Sequence, residues 1–185
     1  MQHKNIIITG ATDGIGLAAA KSIAKKGYHV SLVGRNPDKG KKALEAIIEY
    51  SGNENLDFFE CDLSLVANVK DLADRIKQKH SKIDVLLNNA GGANKTKQIT
   101  SEGLEKTFAT NQMNYFVLST ELLNILSESN DGRIVNVASN AHIGAEVDYE
   151  NINSEKSFSA WTSYCVSKLM NICLLYTSDA ADEHS

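Results

Sequence analysis

The octapeptide Thr9-Gly10-Ala11-Thr12-Asp13-Gly14-Ile15-Gly16 stands between two segments of different hydrophobic period. Residues 5–9 before it form a short β-branched run, and residues 14–27 after it carry helical apolar spacing and end on a glycine. A glycine-rich turn between a first strand and a first helix is the context that a dinucleotide-binding turn requires. Gly10 permits the tight turn, Gly14 lets the backbone approach a pyrophosphate, and Gly16 lets helix and strand pack closely. The helix N-terminus behind the turn adds free N–H groups and about half a positive charge.

The alternation continues outward from this turn. Further strands are expected at 29–33, 56–61, 83–87 and 133–138. Helices are expected from Pro37 to about residue 50, at 65–79, at 101–128 and from residue 160 to about 172, with a polar loop at 140–158. Leu65, Val69, Leu72 and Ile76 share one helical face, and the 83–87 strand is nearly all apolar, as a strand covered on both sides must be. Strands alternating with helices imply parallel βαβ units with right-handed crossovers, hence a doubly wound α/β sheet.

Composition narrows the class. The chain has 185 residues, 42% hydrophobic and 23% charged, enough for one domain that buries roughly 70% of its unfolded surface without metal or disulfide staples. A net charge of −4 with scattered lysines and arginines argues against nucleic acid or an anionic membrane. No apolar run approaches the length of a membrane span, and no signal peptide precedes Ile6-Ile7-Ile8. Cys61, Cys165 and Cys173 are odd in number and lack CxxC or Cys/His spacing, which argues for a reducing compartment and against a zinc site. A cytoplasmic location is the expectation.

Four further motifs make the reading specific. The glycines are spaced G-x-x-x-G-x-G; Asn88-Asn89-Ala90-Gly91 follows the fourth strand; Ser139 follows the fifth; and Tyr164-Cys165-Val166-Ser167-Lys168 lies on a helix. In this order, over about residues 4–172, they resemble the short-chain dehydrogenase/reductase family. Ser101-Glu102-Gly103-Leu104-Glu105, Asn111 and the segment Gly132-Arg133-Ile134-Val135-Asn136-Val137 resemble the branch with retinol dehydrogenases and carbonyl reductases. The resemblance implies a Rossmann-like sheet of strand order 3-2-1-4-5 and hydride transfer between a nicotinamide and an alcohol or carbonyl, with a lipophilic substrate.

The resemblance also assigns sites. Gly10, Thr12, Asp13, Gly14, Ile15 and Gly16 of the turn would bind the cofactor, Asn89 would brace the central strand and cofactor, and Ala90 and Gly91 would also bind the cofactor. Asp62 and Leu63 match an adenine-contacting pair, although Asp62 reads equally as a helix N-cap. An NAD site carries an acidic residue at the end of the second strand, where this chain has Arg35-Asn36. A guanidinium pairs bidentately with a 2′-phosphate, so NADP(H) is expected over NAD(H), with Asp13 weighing slightly the other way. The bland alternative for Arg35 is a solvated strand-end charge.

Tyr164 and Lys168 are i and i+4 on one helical face. Bringing a tyrosine from its usual pKa to about 7 needs roughly 4 kcal/mol of anion stabilisation. One ammonium about 4 Å away supplies that at an effective dielectric near 20. By resemblance Tyr164 is the general acid/base, Lys168 its tuner and a cofactor-ribose ligand, Ser139 the group that orients the substrate oxygen, and Asn111 the holder of a proton-relay water. Asn114 stands where relatives usually have glycine. His142, Phe158 and Trp161 are weaker candidates near the substrate, and Lys25, Lys26, Lys39, Lys41 and Lys42 read as solvated faces. A nucleotide-sugar epimerase or dehydratase also uses Tyr-x-x-x-Lys but usually lacks the Asn-Asn-Ala-Gly stretch.

Residues 173–183 read as one translated frame of a common transposase-library sequencing adapter, the alternative being a genuine polar C-terminal tail. The expectation is therefore an incomplete cofactor-binding domain at 1–172 followed by a non-native tail at 173–185. Such a C-terminally truncated chain would bind nucleotide without turnover, whereas the complete protein would act on small alcohols or ketones and could form homodimers.

Overall fold

The computed structural model describes residues 4–182. Strand β1 (Asn5–Thr9) leads into α1 (Gly14–Ala24), β2 (His29–Gly34), α2 (Pro37–Ser51), β3 (Leu56–Glu60), α3 (Val66–Lys79) and β4 (Val85–Asn88). A short α4 (Lys106–Phe108) passes through a π-turn at Ala109–Met113 into α5 (Asn114–Ser127), followed by β5 (Arg133–Asn136) and α6 (Ala160–Asp182). The strands form one five-stranded, fully parallel sheet in the order β3-β2-β1-β4-β5, the order expected for the Rossmann-like class.

Strand alternation feeds two cores. Ile7, Val33, Phe59 and Leu86 enter the layer with Leu72 and Ile76 of α3 and Leu118 and Leu122 of α5. Ile6, Ile8, Val30 and Leu32 enter the layer with Ala20 of α1 and Ala43 and Ile47 of α2. Each fully buried Ile or Leu contributes roughly 1.5–3 kcal/mol, so both faces must stay covered. Local signals end the helices: Asn36 caps α2 by accepting from the Lys39 N–H at 2.9 Å, Pro37 starts it, and Gly52 closes it in the left-handed region. Among the described residues no helix is long and apolar enough to cross a membrane.

Three departures from the expected pattern have physical causes. The helix expected from residue 101 begins only at Lys106, because Gly103 turns through the left-handed region and the Glu105 carboxylate caps the helix by accepting from the Thr107 and Phe108 N–H groups. Glu102, left outside the helix, serves another. Its carboxylate accepts the Val66 and Ala67 N–H groups and caps α3, whose own N-cap residue, Leu65, offers no side-chain bond. Asp62 is therefore not the cap of α3; its Oδ1 accepts from the Ser64 N–H and hydroxyl instead. The π-turn is patched by Asn114, buried at 1% exposure, whose side-chain amide donates to the Thr110 carbonyl. Finally, α6 does not stop near Ile172: its backbone stays helical to Asp182, through a stretch free of glycine and proline. Of the tail expected at 173–185, residues 183–185 lie outside the described residues.

Candidate active site

At the C-terminal edge of the sheet, β1 and β4 lead their chains to opposite faces, and a crevice opens at this switch point. One cleft of about 980 Å³ runs there from Arg35 to Tyr164.

The glycine turn forms its floor. A Cβ on Gly10 would lie 2.8 Å from the Ala90 Cα, and one on Gly16 would lie 2.3 Å from the Gly10 carbonyl oxygen. Gly10 and Gly14 also adopt φ values of +64° and +50°. Asp13 caps α1, its carboxylate accepting from the Gly14 N–H at 2.7 Å. Asn89 fastens the turn to β4: its amide donates to the Thr9 and Gly10 carbonyls, and the Thr9 hydroxyl accepts from the Asn89 and Ala90 N–H groups.

Arg35, Asn36 and Lys39 line one end. Lys39 is exposed, as a solvated face should be, and the first turn of α2 also sets it on the rim of the cleft, with its ammonium 3.5 Å from Asp13 Oδ2. The signal was its spacing, four residues after Arg35 across a helix start. Asp62 and Leu63 line the wall beyond β3, beside Cys61, whose thiol burial pushes up to about 12 and so keeps protonated.

Ser139, Tyr164 and Lys168 line the far end. Lys168 is buried at 4% exposure; it donates to the Val137 carbonyl at 2.9 Å, and its ammonium lies 5.8 Å from the Tyr164 ring centroid and 5.8 Å from that of Tyr115. Spending the Val137 carbonyl on Lys168 accompanies the end of β5 at Asn136. Burial lowers the Lys168 pKa from its usual value, since desolvation disfavours the ammonium. The Ser139 hydroxyl oxygen accepts from the Ala141 N–H at 3.2 Å, and the Ser139 carbonyl meets the Asn140–His142 turn, with His142 Nδ1 at 2.6 Å. Trp161, 68% exposed, stacks on Tyr164 at 6.2 Å between ring centroids.

The fold brings the expected catalytic and cofactor residues to this cleft except Asn111, which is wholly buried behind it; the weaker candidates His142, Phe158 and Trp161 do not line it, and Phe158 faces a separate pocket. Its amide oxygen accepts from the Gly92 N–H at 2.9 Å, and its nitrogen donates to the Gly92 carbonyl and the Ser167 hydroxyl. It ties the loop after β4 to α6. Lys106 and Asn94 also line the cleft; no motif marks them in the sequence, because a loop and a helix start far from the glycine turn deliver them.

A glycine turn closed to any side chain, a helix N-terminus and a long cleft at the switch point define a Rossmann-like nucleotide-binding domain with a Tyr-x-x-x-Lys pair at one end. The model of the family described as short chain dehydrogenase matches residues 4–174, and the chain belongs to that family. It is 34% identical over 174 residues to the polyprenol dehydrogenase of Homo sapiens, covering 92% of this chain and 53% of that protein. It is 35% identical over 178 residues to human retinol dehydrogenase 11, covering 96% of this chain and 55% of that one. The chain thus spans about half the length of these relatives. Among solved structures, a protein from Mycobacterium paratuberculosis aligns with a TM-score of 0.82 at 31% identity, over 96% of this chain and 61% of that one. A short chain dehydrogenase of Escherichia coli CFT073 complexed with NADPH aligns with a TM-score of 0.78 at 27% identity, over 100% of this chain and 73% of that one.

Proposed function

We propose that this protein is the cofactor-binding and catalytic part of an NADP(H)-dependent oxidoreductase that interconverts a lipophilic alcohol and its carbonyl compound. The carrying observation is the single cleft with the glycine turn in its middle, Arg35 and Lys39 at one end, and Tyr164, Lys168 and Ser139 at the other. The names of the polyprenol and retinol dehydrogenases support the substrate class, and the NADPH complex of the E. coli structure supports the cofactor.

The free N–H groups of the first turn of α1 would hold the pyrophosphate, and Ile15, 75% exposed, would cover it. Arg35 and Lys39 would meet a 2′-phosphate, with Lys39 leaving Asp13 to do so. Asp62 and Leu63 would flank the adenine, and Ala90 and Gly91 the central part of the cofactor. A bound nicotinamide supplies or accepts the hydride; the chain's own residues handle the proton. In the reducing direction the Tyr164 hydroxyl donates its proton to the carbonyl oxygen, and the Lys168 ammonium stabilises the phenolate that remains. Because the Ser139 oxygen already accepts from Ala141, its O–H hydrogen is the part left to bond the substrate oxygen. Asn111 acts through position, holding Gly92 and Ser167 so that Lys168 keeps its place.

The test is Tyr164→Phe in the full-length protein. Turnover should fall by about 10²–10⁴-fold with NADPH binding retained, measured by cofactor oxidation and by fluorescence titration. Undiminished turnover would overturn the assignment. We also propose residues 1–172 as the unit to which this site belongs; sequencing the source DNA across codons 165–190 tests whether 173–185 are native.

A further inference from the structure

The strands begin at the edge opposite the cleft, and there a second constellation forms that no motif announced. β2 opens with His29, Ser31 follows on the same face, Asp57 of β3 pairs with Ser31 in register, and His80 caps the end of α3. His29 Nε2 lies 2.9 Å and His80 Nε2 3.7 Å from the same oxygen, Asp57 Oδ2, and the three atoms all lie within 4.8 Å of one another. Both imidazoles are buried, at 8% and 7% exposure. Although two ring nitrogens approach it, Asp57 Oδ2 is buried and has no hydrogen-bond partner. Their placement suits a shared cation better than a hydrogen bond.

Two imidazole nitrogens and one carboxylate oxygen are a ligand set for Zn²⁺. Ligands about 2.0–2.2 Å from a tetrahedral Zn²⁺ stand roughly 3.4 Å apart, a spacing that the observed 2.9 and 3.7 Å bracket. We propose that His29, Asp57 and His80 bind one Zn²⁺, with a water beside Ser31 Oγ in the fourth position. That hydroxyl hydrogen-bonds His80 Nε2 at 3.4 Å and would turn to the bound water when Zn²⁺ takes the nitrogen. Lys79 pairs with the other carboxylate oxygen, Oδ1, and orients Asp57 without occupying the atom that faces the histidines. The ion would clip the edge strand β3 and strand β2 to the C-terminal end of α3. It would sit about 16 Å along β2 from the cleft, so it would serve the fold rather than the reaction.

The experiment is titration of the chelator-treated full chain with Zn²⁺ alone by calorimetry, with thermal melting in parallel. One Zn²⁺ per chain should bind and raise Tm. Partners outside a metal's own ligands are worth roughly 10–100-fold in affinity, so His29→Gln and His80→Gln should each weaken binding by at least about 100-fold. Absence of binding, or binding unchanged in both variants, would overturn the proposal. Should either variant fail to fold, Co²⁺ added to the unaltered chain decides. Visible tetrahedral bands without thiolate charge transfer support the His-Asp-His site, whereas a thiolate band points to the cysteines and refutes it.

Discussion

The two edges of the sheet are built differently. The C-terminal edge is assembled from contiguous motifs: a glycine turn, a strand-end Asn-Asn-Ala-Gly and a Tyr-x-x-x-Lys pair. The N-terminal edge is assembled from single side chains far apart in sequence. Besides the histidine cluster, it carries Asp84, buried at 4% exposure, which accepts from the Ser129 hydroxyl at 2.6 Å and the Asn5 N–H at 2.8 Å. Parallel strands leave unpaired backbone groups and open crevices where they end, so ligand chemistry gathers there. Where they begin, side chains satisfy and fasten the connections. One edge is therefore expected to govern binding and turnover, the other stability.

The strongest challenge to that division is Gly16→Val. Its Cβ would meet the Gly10 carbonyl at 2.3 Å, so the turn must move, and NADPH affinity should drop by roughly 100-fold in a fluorescence titration. If a large loss of stability accompanies it, the division is less clean than stated.

Arg35→Ala should come next at this edge, weakening NADPH by about 10-fold or more while leaving NADH nearly unchanged; equal losses for both would remove the 2′-phosphate role. On the pH axis, burial lowers the Lys168 pKa, so the ammonium is lost at a lower pH than an exposed lysine's 10.5. Turnover of the full-length protein should therefore decline with rising pH before that value, and a pH–rate profile flat to 10.5 would contradict the role of Lys168.

At the other edge, Asp84→Asn should cost about 1–3 kcal/mol in urea unfolding at neutral pH and leave NADPH binding intact. Desolvation pushes the Asp84 carboxyl up, but bonds from Ser129, Asn5 and Lys82 outweigh it and bring the folded pKa below the ordinary 3.8. A depressed carboxyl stabilises the fold above its unfolded pKa, and that contribution is lost as pH falls through the folded one. The variant should therefore lose less than the parent chain on acidification below about pH 4. The smallest effect is expected back at the cleft edge, where Glu102→Ala uncaps the start of α3 at a cost of about 1 kcal/mol, seen as a lower urea midpoint at unchanged slope.

Much of this was legible in the sequence because its causes are local. The switch from strand to helix period gave the element order, Pro37 gave the start of α2, and the spacing of Gly10, Gly14 and Gly16 gave the turn. A positive φ and a backbone contact closed to any side chain are properties of single positions, and such demands leave a mark on residue type. The placement of Tyr164 and Lys168 on one face needed only the helical repeat.

What required the tertiary structure depends on register and on crossing elements. Glu105, not Glu102, starts the helix expected from residue 101, and the freed Glu102 caps α3, which has no side-chain cap of its own. Lys39 reached the cleft because α2 begins beside α1, and Asn111 turned inward to hold Gly92 because a π-turn interrupts its helix. His29, Asp57 and His80 come together because β2 and β3 pair with Ser31 opposite Asp57 and α3 ends over them. Local sequence encodes backbone conformation, whereas meetings of distant side chains are fixed only when strands choose their neighbours and helices their ends.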